Sequence, residues 1–315
     1  MINRLFPTLL FFICFFYSLP QTAKAQNNEW ENPAKYEWNK ERPHADFRLY
    51  EQAEDAVNDK PRKSSWQHSL NGVWKFIYAP TIAASIKDFY RIDLPDSNWD
   101  TITVPSNWEI QGFGEPIIRN IQYVFSSNPP YIDVDNPVGT YRRTFTVPRN
   151  WQEREVFLHF GSISGYARIY VNGQQVGMTK ASKTPAEFNV TNYLKEGENL
   201  LAVQIYRWHD GSYMEDQDFW RLTGIERDVF LQAYPKLTIW DFFLKSSLDS
   251  TYKNGIFNAT VDLREFTGNN VKKGTLKLEL LDKTGKIVLS QQKKFDIEDE
   301  FTQLAFSGVI KNVSK

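Results

Sequence analysis

Apolar residues in this chain recur with a period of two, in short runs, and nowhere keep a helical spacing over a useful length. No other feature restricts the fold as tightly, because a period of two puts alternate side chains on opposite faces of a strand. Val156, Leu158 and Phe160 alternate with Phe157 and His159. Ala167, Ile169 and Val171 alternate up to Asn172-Gly173, and Gln174 to Val176 resume beyond it. Asn-Gly between two such runs predicts a hairpin, since both residues accept the positive φ of a type I′ turn. Leu201, Val203 and Ile205 form another one-faced strand. Short strands separated by turn residues predict an all-β fold, a β-sandwich or jelly roll over 66–235.

A second β region follows. Phe257, Ala259, Val261 and Leu263 share one face; Leu276, Leu278 and Leu280 share another, and Asp282 to Gly285 turn the chain into Ile287 to Leu289. It reads as an immunoglobulin-like sandwich over 236–315, shorter than the roughly 100 residues typical of one. The expectation is a truncated module with an unpaired sheet edge. Ahead of the first sandwich, residues 26–65 are polar and punctuated by Pro33, Pro43 and Pro61. They predict an extended arm with a short helix around Tyr50 to Val57, lying on some other surface.

The first 25 residues read as a separate object. Arg4 supplies a positive start, Leu5 to Leu19 form an apolar run of about 15 residues, and Ala23-Lys24-Ala25 supplies a small-x-small cleavage site. The run falls short of the roughly 20 residues that span a bilayer. The expectation is a cleaved secretory signal, a mature chain from Gln26, export to the periplasm or medium, and no membrane attachment afterwards. Cleavage would also remove Cys14, the one cysteine, so neither disulfides nor a thiolate would be available. Removing Arg4 and Lys24 leaves 35 basic residues against 38 acidic ones, scattered rather than in blocks. That balance gives no electrostatic footprint for nucleic acid, and a neutral substrate suits it better.

Aromatic residues make up 15% of the chain, including 10 Trp, and most read as packing rather than as sugar-stacking platforms. The four histidines, at 44, 68, 159 and 209, have no metal-ligand spacing, and His159 within its strand reads as structural. Phosphate-loop, zinc and nucleophile-elbow motifs are missing from the sequence.

Several strings carry a resemblance: WENP (Trp30–Pro33), SLNGVW (Ser69–Trp74), VPSNW (Val104–Trp108), NPP (Asn128–Pro130), NPVG (Asn136–Gly139), GEN (Gly197–Asn199) and RWHDGSYMEDQDFWRLTGIERDV (Arg207–Val229). With them the chain resembles the N-terminal portion of glycoside hydrolase family 2, specifically the long bacterial β-galactosidases. Beyond residue 245 the similarity is one of strand pattern only.

The resemblance implies a modular enzyme that hydrolyses terminal β-galactosides with retention, using two carboxylates about 5–5.5 Å apart. In the family both are glutamates on a (β/α)₈ barrel, and the acid/base Glu follows an Asn. The only Asn-Glu pair here is Asn28-Glu29, in the polar arm. The expectation is therefore that the catalytic pair and the barrel are absent from these residues, leaving a sugar-binding and scaffold portion that is inactive alone. A stand-alone carbohydrate-binding module is the alternative, and a subunit-interaction role, in a full-length homo-oligomer, a third. Two positions carry over to the wall of the galactose pocket: Asn120, within Ile117 to Tyr123, and Asp218, within Glu215 to Trp220. Asp218 also matches one ligand of a sodium ion whose other protein ligands lie on the barrel, and magnesium is expected only with that barrel. A second, magnesium-type site of some members corresponds to Glu29, Asn32, Lys180 and Asp210. Lys180 puts an ammonium where a neutral oxygen donor is expected, so that metal is not predicted. Read without the resemblance, Glu215, Asp216 and Asp218 are a solvated acidic loop and Asn120 a turn or strand-end residue.

Overall fold

The computed structural model describes residues 28–58, 60, 64–119, 123–215 and 218–313. The expected signal segment and Asn120 lie outside the described residues. Strands dominate from the arm onward. The first group is β1 (Glu37–Trp38), β2 (Gln67–Ser69), β3 (Gly72–Ala79), β4 (Asp100–Val104), β5 (Ser106–Asn107), β6 (Ile117–Arg119) and β7 (Val138–Thr146). Next come β8 (Glu155–Phe160), β9 (Ile163–Ser164), β10 (Tyr166–Val171), β11 (Gln174–Thr179), β12 (Ala186–Asn189) and β13 (Glu198–Tyr206). They are followed by β14 (Phe219–Arg221), β15 (Gly224–Ile225) and β16 (Val229–Tyr234). The last group is β17 (Leu237–Leu248), β18 (Gly255–Glu265), β19 (Lys273–Leu281), β20 (Ile287–Asp296) and β21 (Phe301–Ile310). One short helix, α1 (Ala53–Val57), sits in the arm, inside the stretch where the sequence predicts it.

A seven-stranded antiparallel sheet, β1-β11-β10-β13-β7-β3-β4, faces a four-stranded one, β12-β8-β16-β2. This is the jelly-roll sandwich. Val156, Leu158 and Phe160 of β8 and Leu231 of β16 point inward against Ile169, Val203, Ile205 and Tyr141 of the larger sheet. Trp74, Trp108 and Trp151 are sealed in or beside the same core. Each fully buried large side chain contributes on the order of 2–3 kcal/mol gross, which is how a sandwich of this size holds without a disulfide. The Asn172-Gly173 hairpin forms as its sequence predicts, with φ of +50° and +83° and Val171 paired with Gln174.

The outer face of the small sheet is not left to solvent. Phe157, His159, Glu187, Gln232 and Tyr234 point outward from it and are buried all the same. The arm covers part of that face, and the second module the rest. There β17-β18-β21 forms one sheet and β19-β20 another, an immunoglobulin-like sandwich around Phe257, Ala259, Val261, Leu263, Ile297 and Phe306. The joint between the modules is aromatic. Trp240 of β17 lies 5.3 Å from Phe157 and 5.9 Å from Phe266, ring to ring, with the Arg264 guanidinium 4.5 Å above it.

Candidate functional site

Asp218 immediately precedes β14, which pairs with β6 as a two-stranded antiparallel ribbon standing apart from both large sheets. Asn120 immediately follows β6 in the sequence, so the two strand ends that lead to the expected pocket-wall positions lie side by side. The Asp218 side chain is exposed. Ile118 (55% exposed) and Trp220 (47%), paired across the ribbon, are exposed with it on one face, and Phe219 (51%) is exposed on the other. The Lys183 ammonium sits 4.8 Å from the Phe219 ring centroid.

A buried ion pair ties this ribbon to the sandwich. Arg207, just past the end of β13, donates to the carbonyls of Glu115 (3.1 Å) and Arg221 (2.7 Å), one on each side of the ribbon's base. The same Nη2 lies 3.6 Å from Glu109 Oε1, and Glu109 Oε2 accepts the Thr223 N–H at 2.9 Å. Burial pushes the Glu109 carboxyl up, against the pull of the Thr223 hydrogen bond and the Arg207 charge. Neither Arg207 nor Glu109 is singled out by sequence reasoning. The one available signal is a charged residue directly after the apolar strand Leu200 to Tyr206.

The chain between β13 and β14 is shaped by its own side chains. Asn136 and Trp208 exchange two hydrogen bonds, each 2.8 Å, with the Trp208 backbone. His209, fully buried, caps the short turn Asp210–Tyr213: its Nδ1 accepts the Gly211 N–H at 3.1 Å while its own N–H donates to Ser212 Oγ. Because Nδ1 accepts, the ring proton sits on Nε2, which points toward Glu215 at 3.7 Å. Tyr213 then donates to the Tyr131 carbonyl at 2.6 Å and stacks edge-on to Phe125.

The residues matching the two metal positions behave differently from one another. Asp218 supplies one oxygen ligand and stands in no group of three or more His, Cys, Asp or Glu among the described residues. One carboxylate suits an alkali ion but does not by itself hold one. At the magnesium-type position, Lys180 Nζ lies 3.0 Å from Asp210 Oδ1 and donates to the Asn32 carbonyl at 3.1 Å. Glu29 instead accepts the Tyr166 hydroxyl. An ammonium occupies the middle of the donor set, and these residues do not fit a divalent cation.

A third cluster pins the arm. Glu187, on the outer face of the small sheet, is buried between His44 (Nε2 to Oε2, 2.6 Å) and His159 (Nδ1 to Oε1, 3.8 Å). Burial would raise the Glu187 pKa, and the two imidazoles hold it low. His159, read from sequence as structural, is a partner of this carboxylate and stacks at 4.4 Å on Phe230.

Comparison with known proteins bears on the family and the fold. Residues 67–235 match the family described as glycosyl hydrolases family 2, sugar binding domain. A "Beta-galactosidase" of Priestia megaterium is 36% identical over 295 residues, covering 91% of this chain and 28% of the relative. One of Vibrio cholerae is 38% identical over 266 residues, covering 84% and 25%. The chain thus spans about a quarter of the length of the curated relatives it matches. Among solved structures, a beta-glucuronidase from glycoside hydrolase family 2 superposes with a TM-score of 0.62 at 21% identity, over 79% of this chain and 27% of the other. At that identity the likeness is one of fold.

Proposed function

The chain belongs to glycoside hydrolase family 2, and from that premise we propose that it is the N-terminal sugar-binding and scaffold portion of an exported β-galactosidase acting with retention. One observation carries the reading. An exposed carboxylate, Asp218, heads a ribbon whose base is fixed by a buried arginine. A side chain so placed can accept from a sugar hydroxyl, and such a charge-assisted bond is worth about 1.5–3 kcal/mol. Asn120 is proposed as its neighbour on the pocket wall. A sodium ion held through Asp218 would draw its other donors from outside the described residues, and would seat a hydroxyl beside that carboxylate.

Hydrolysis is assigned elsewhere. Glu29, the only glutamate following an asparagine, lies in the arm and is engaged with Tyr166 of the jelly roll, near Lys180. It is not free to act as an acid/base across a sugar ring. The 315 residues alone are therefore expected to release no nitrophenol from a nitrophenyl β-galactoside. Turnover by the purified chain, with longer enzyme excluded, would overturn the assignment.

A second reading, a stand-alone carbohydrate-binding module, draws on the exposed rings of Phe219 and Trp220 beside Asp218. Calorimetric titration of the same sample with galactose and lactose separates the two. Heat at millimolar sugar favours the module, and its absence favours a half-site.

A further inference from the structure

We propose that the Lys180 ammonium is a resident cation that docks the N-terminal arm on the jelly roll, so that this docking needs no divalent metal. The arm reaches the sandwich through residues 28–38, where β1 pairs with β11 at Glu37–Thr179 and Trp38–Met178. Lys180 is the next residue along. Its side chain is 4% exposed and that of Asp210 9%, and the two are joined at 3.0 Å. A second N–H of the same ammonium reaches the Asn32 carbonyl of the arm at 3.1 Å. The Lys180 backbone N–H donates to the Tyr36 carbonyl at 2.9 Å, so one residue holds the arm at two points. Around it, Glu29 accepts the Tyr166 hydroxyl, and Glu31 accepts from Asn28 Nδ2 and from the Ile132 N–H.

Carboxylates of the arm and of the Asp210 turn, with the Asn32 carbonyl, thus lie around one buried positive charge that Asp210 contacts directly. Three acidic side chains brought together without a cation would repel each other and remain undersolvated. Some positive charge is required there for the arm to seat, and the polypeptide supplies it. A divalent ion entering the same space would meet the ammonium at contact distance and lack the six-oxygen shell that magnesium demands. The assignment is independent of what the sandwich binds.

The test follows tryptic cleavage at Lys40, whose side chain is only 6% exposed, together with the thermal midpoint. Both are read with EDTA, with millimolar magnesium and with millimolar calcium. The wild-type protein is expected to give one cleavage rate and one midpoint in all three buffers. Lys180→Met, which keeps the length of the side chain and removes its charge, should be cleaved at Lys40 about tenfold faster in metal-free buffer, because an unpaired buried Asp210 favours the undocked arm. Magnesium or calcium slowing cleavage of the wild type, or raising its midpoint, would overturn the proposal. So would cleavage of Lys180→Met at the wild-type rate. Should that variant fail to fold, the wild-type metal series decides the matter alone.

Discussion

Arg207 shows how one side chain can set the position of a functional element it does not belong to. Its guanidinium spans the base of the β6–β14 ribbon and has Glu109 beneath it, with both side chains at most 4% exposed. Removing one partner of such a pair leaves the other charge uncompensated, which typically costs about 3–5 kcal/mol. Arg207→Met is expected to lower the unfolding free energy read from urea titration by that order. It should also change the pH response. Burial already raises Glu109 above its ordinary 4.5, and without Arg207 the opposing pull is lost. A raised carboxyl pKa favours the folded state while the group is protonated, so the variant should regain stability as the pH falls toward 4.5 and lose it as the pH rises through the folded value. Matched midpoints for variant and wild type across that range would remove Arg207 from the role given it. Asp218 differs in kind: it is exposed, and its environment holds nothing that would mark it out without the resemblance.

At the scale of elements, the arm is the part whose attachment is most open to experiment. His44 Nδ1 faces the Ala45 carbonyl at 3.0 Å and Nε2 faces Glu187 at 2.6 Å, so both ring nitrogens have acceptors and the imidazolium satisfies both. Burial lowers the His44 pKa, but the Glu187 hydrogen bond and charge, with Asp241 adding to them, raise it above 6.5. A raised histidine pKa contributes stability that is complete below pH 6.5 and lost as the pH climbs through the folded value. Thermal midpoints should therefore fall on going from about pH 6 to about pH 9 in the wild type, and His44→Gln should flatten that slope. Identical slopes would show that His44 does not set the pH response of the arm. The strands themselves were legible because one face of each meets a core, as Val156, Leu158 and Phe160 do. The arm's seat was not. His159 and Glu187 read as the polar face of a half-buried sheet, and the partner that buries them, His44, lies 143 residues from Glu187 in sequence. The ribbon was equally opaque: three-residue strands such as β6 and β14 are too short to show a period.

Across the whole molecule, two cores of unequal quality share one chain. The jelly roll encloses most of the buried apolar residues, whereas among the described residues six buried ones form the core of the second sandwich, and Leu276, Leu278 and Leu280 there remain half-buried. Scanning calorimetry is expected to resolve two transitions, the second module melting first. Trp240→Ala removes the ring packed between Phe157, Tyr234 and Phe266, at a cost of about 3–5 kcal/mol, and should pull the two transitions further apart. A single transition would show that the joint couples the two modules fully, and a separation unmoved by the variant would show that it carries no coupling. The arm crosses this joint as well: Glu41 meets Arg264 at 3.0 Å, and the Ala45 N–H donates to Asp241 at 2.8 Å. Those bonds close over 223 and 196 residues of chain. A ribosome delivers the arm first and its last anchors more than two hundred residues later, at roughly 5–20 residues per second. The small sheet is complete only at Tyr234 and its cover from the second module reaches Phe266, so by that rate part of its outer face waits roughly 2–6 seconds for cover. Nascent copies of this protein thus offer chaperones a greasy, half-built surface, which disappears only when the opening stretch folds back over what followed it.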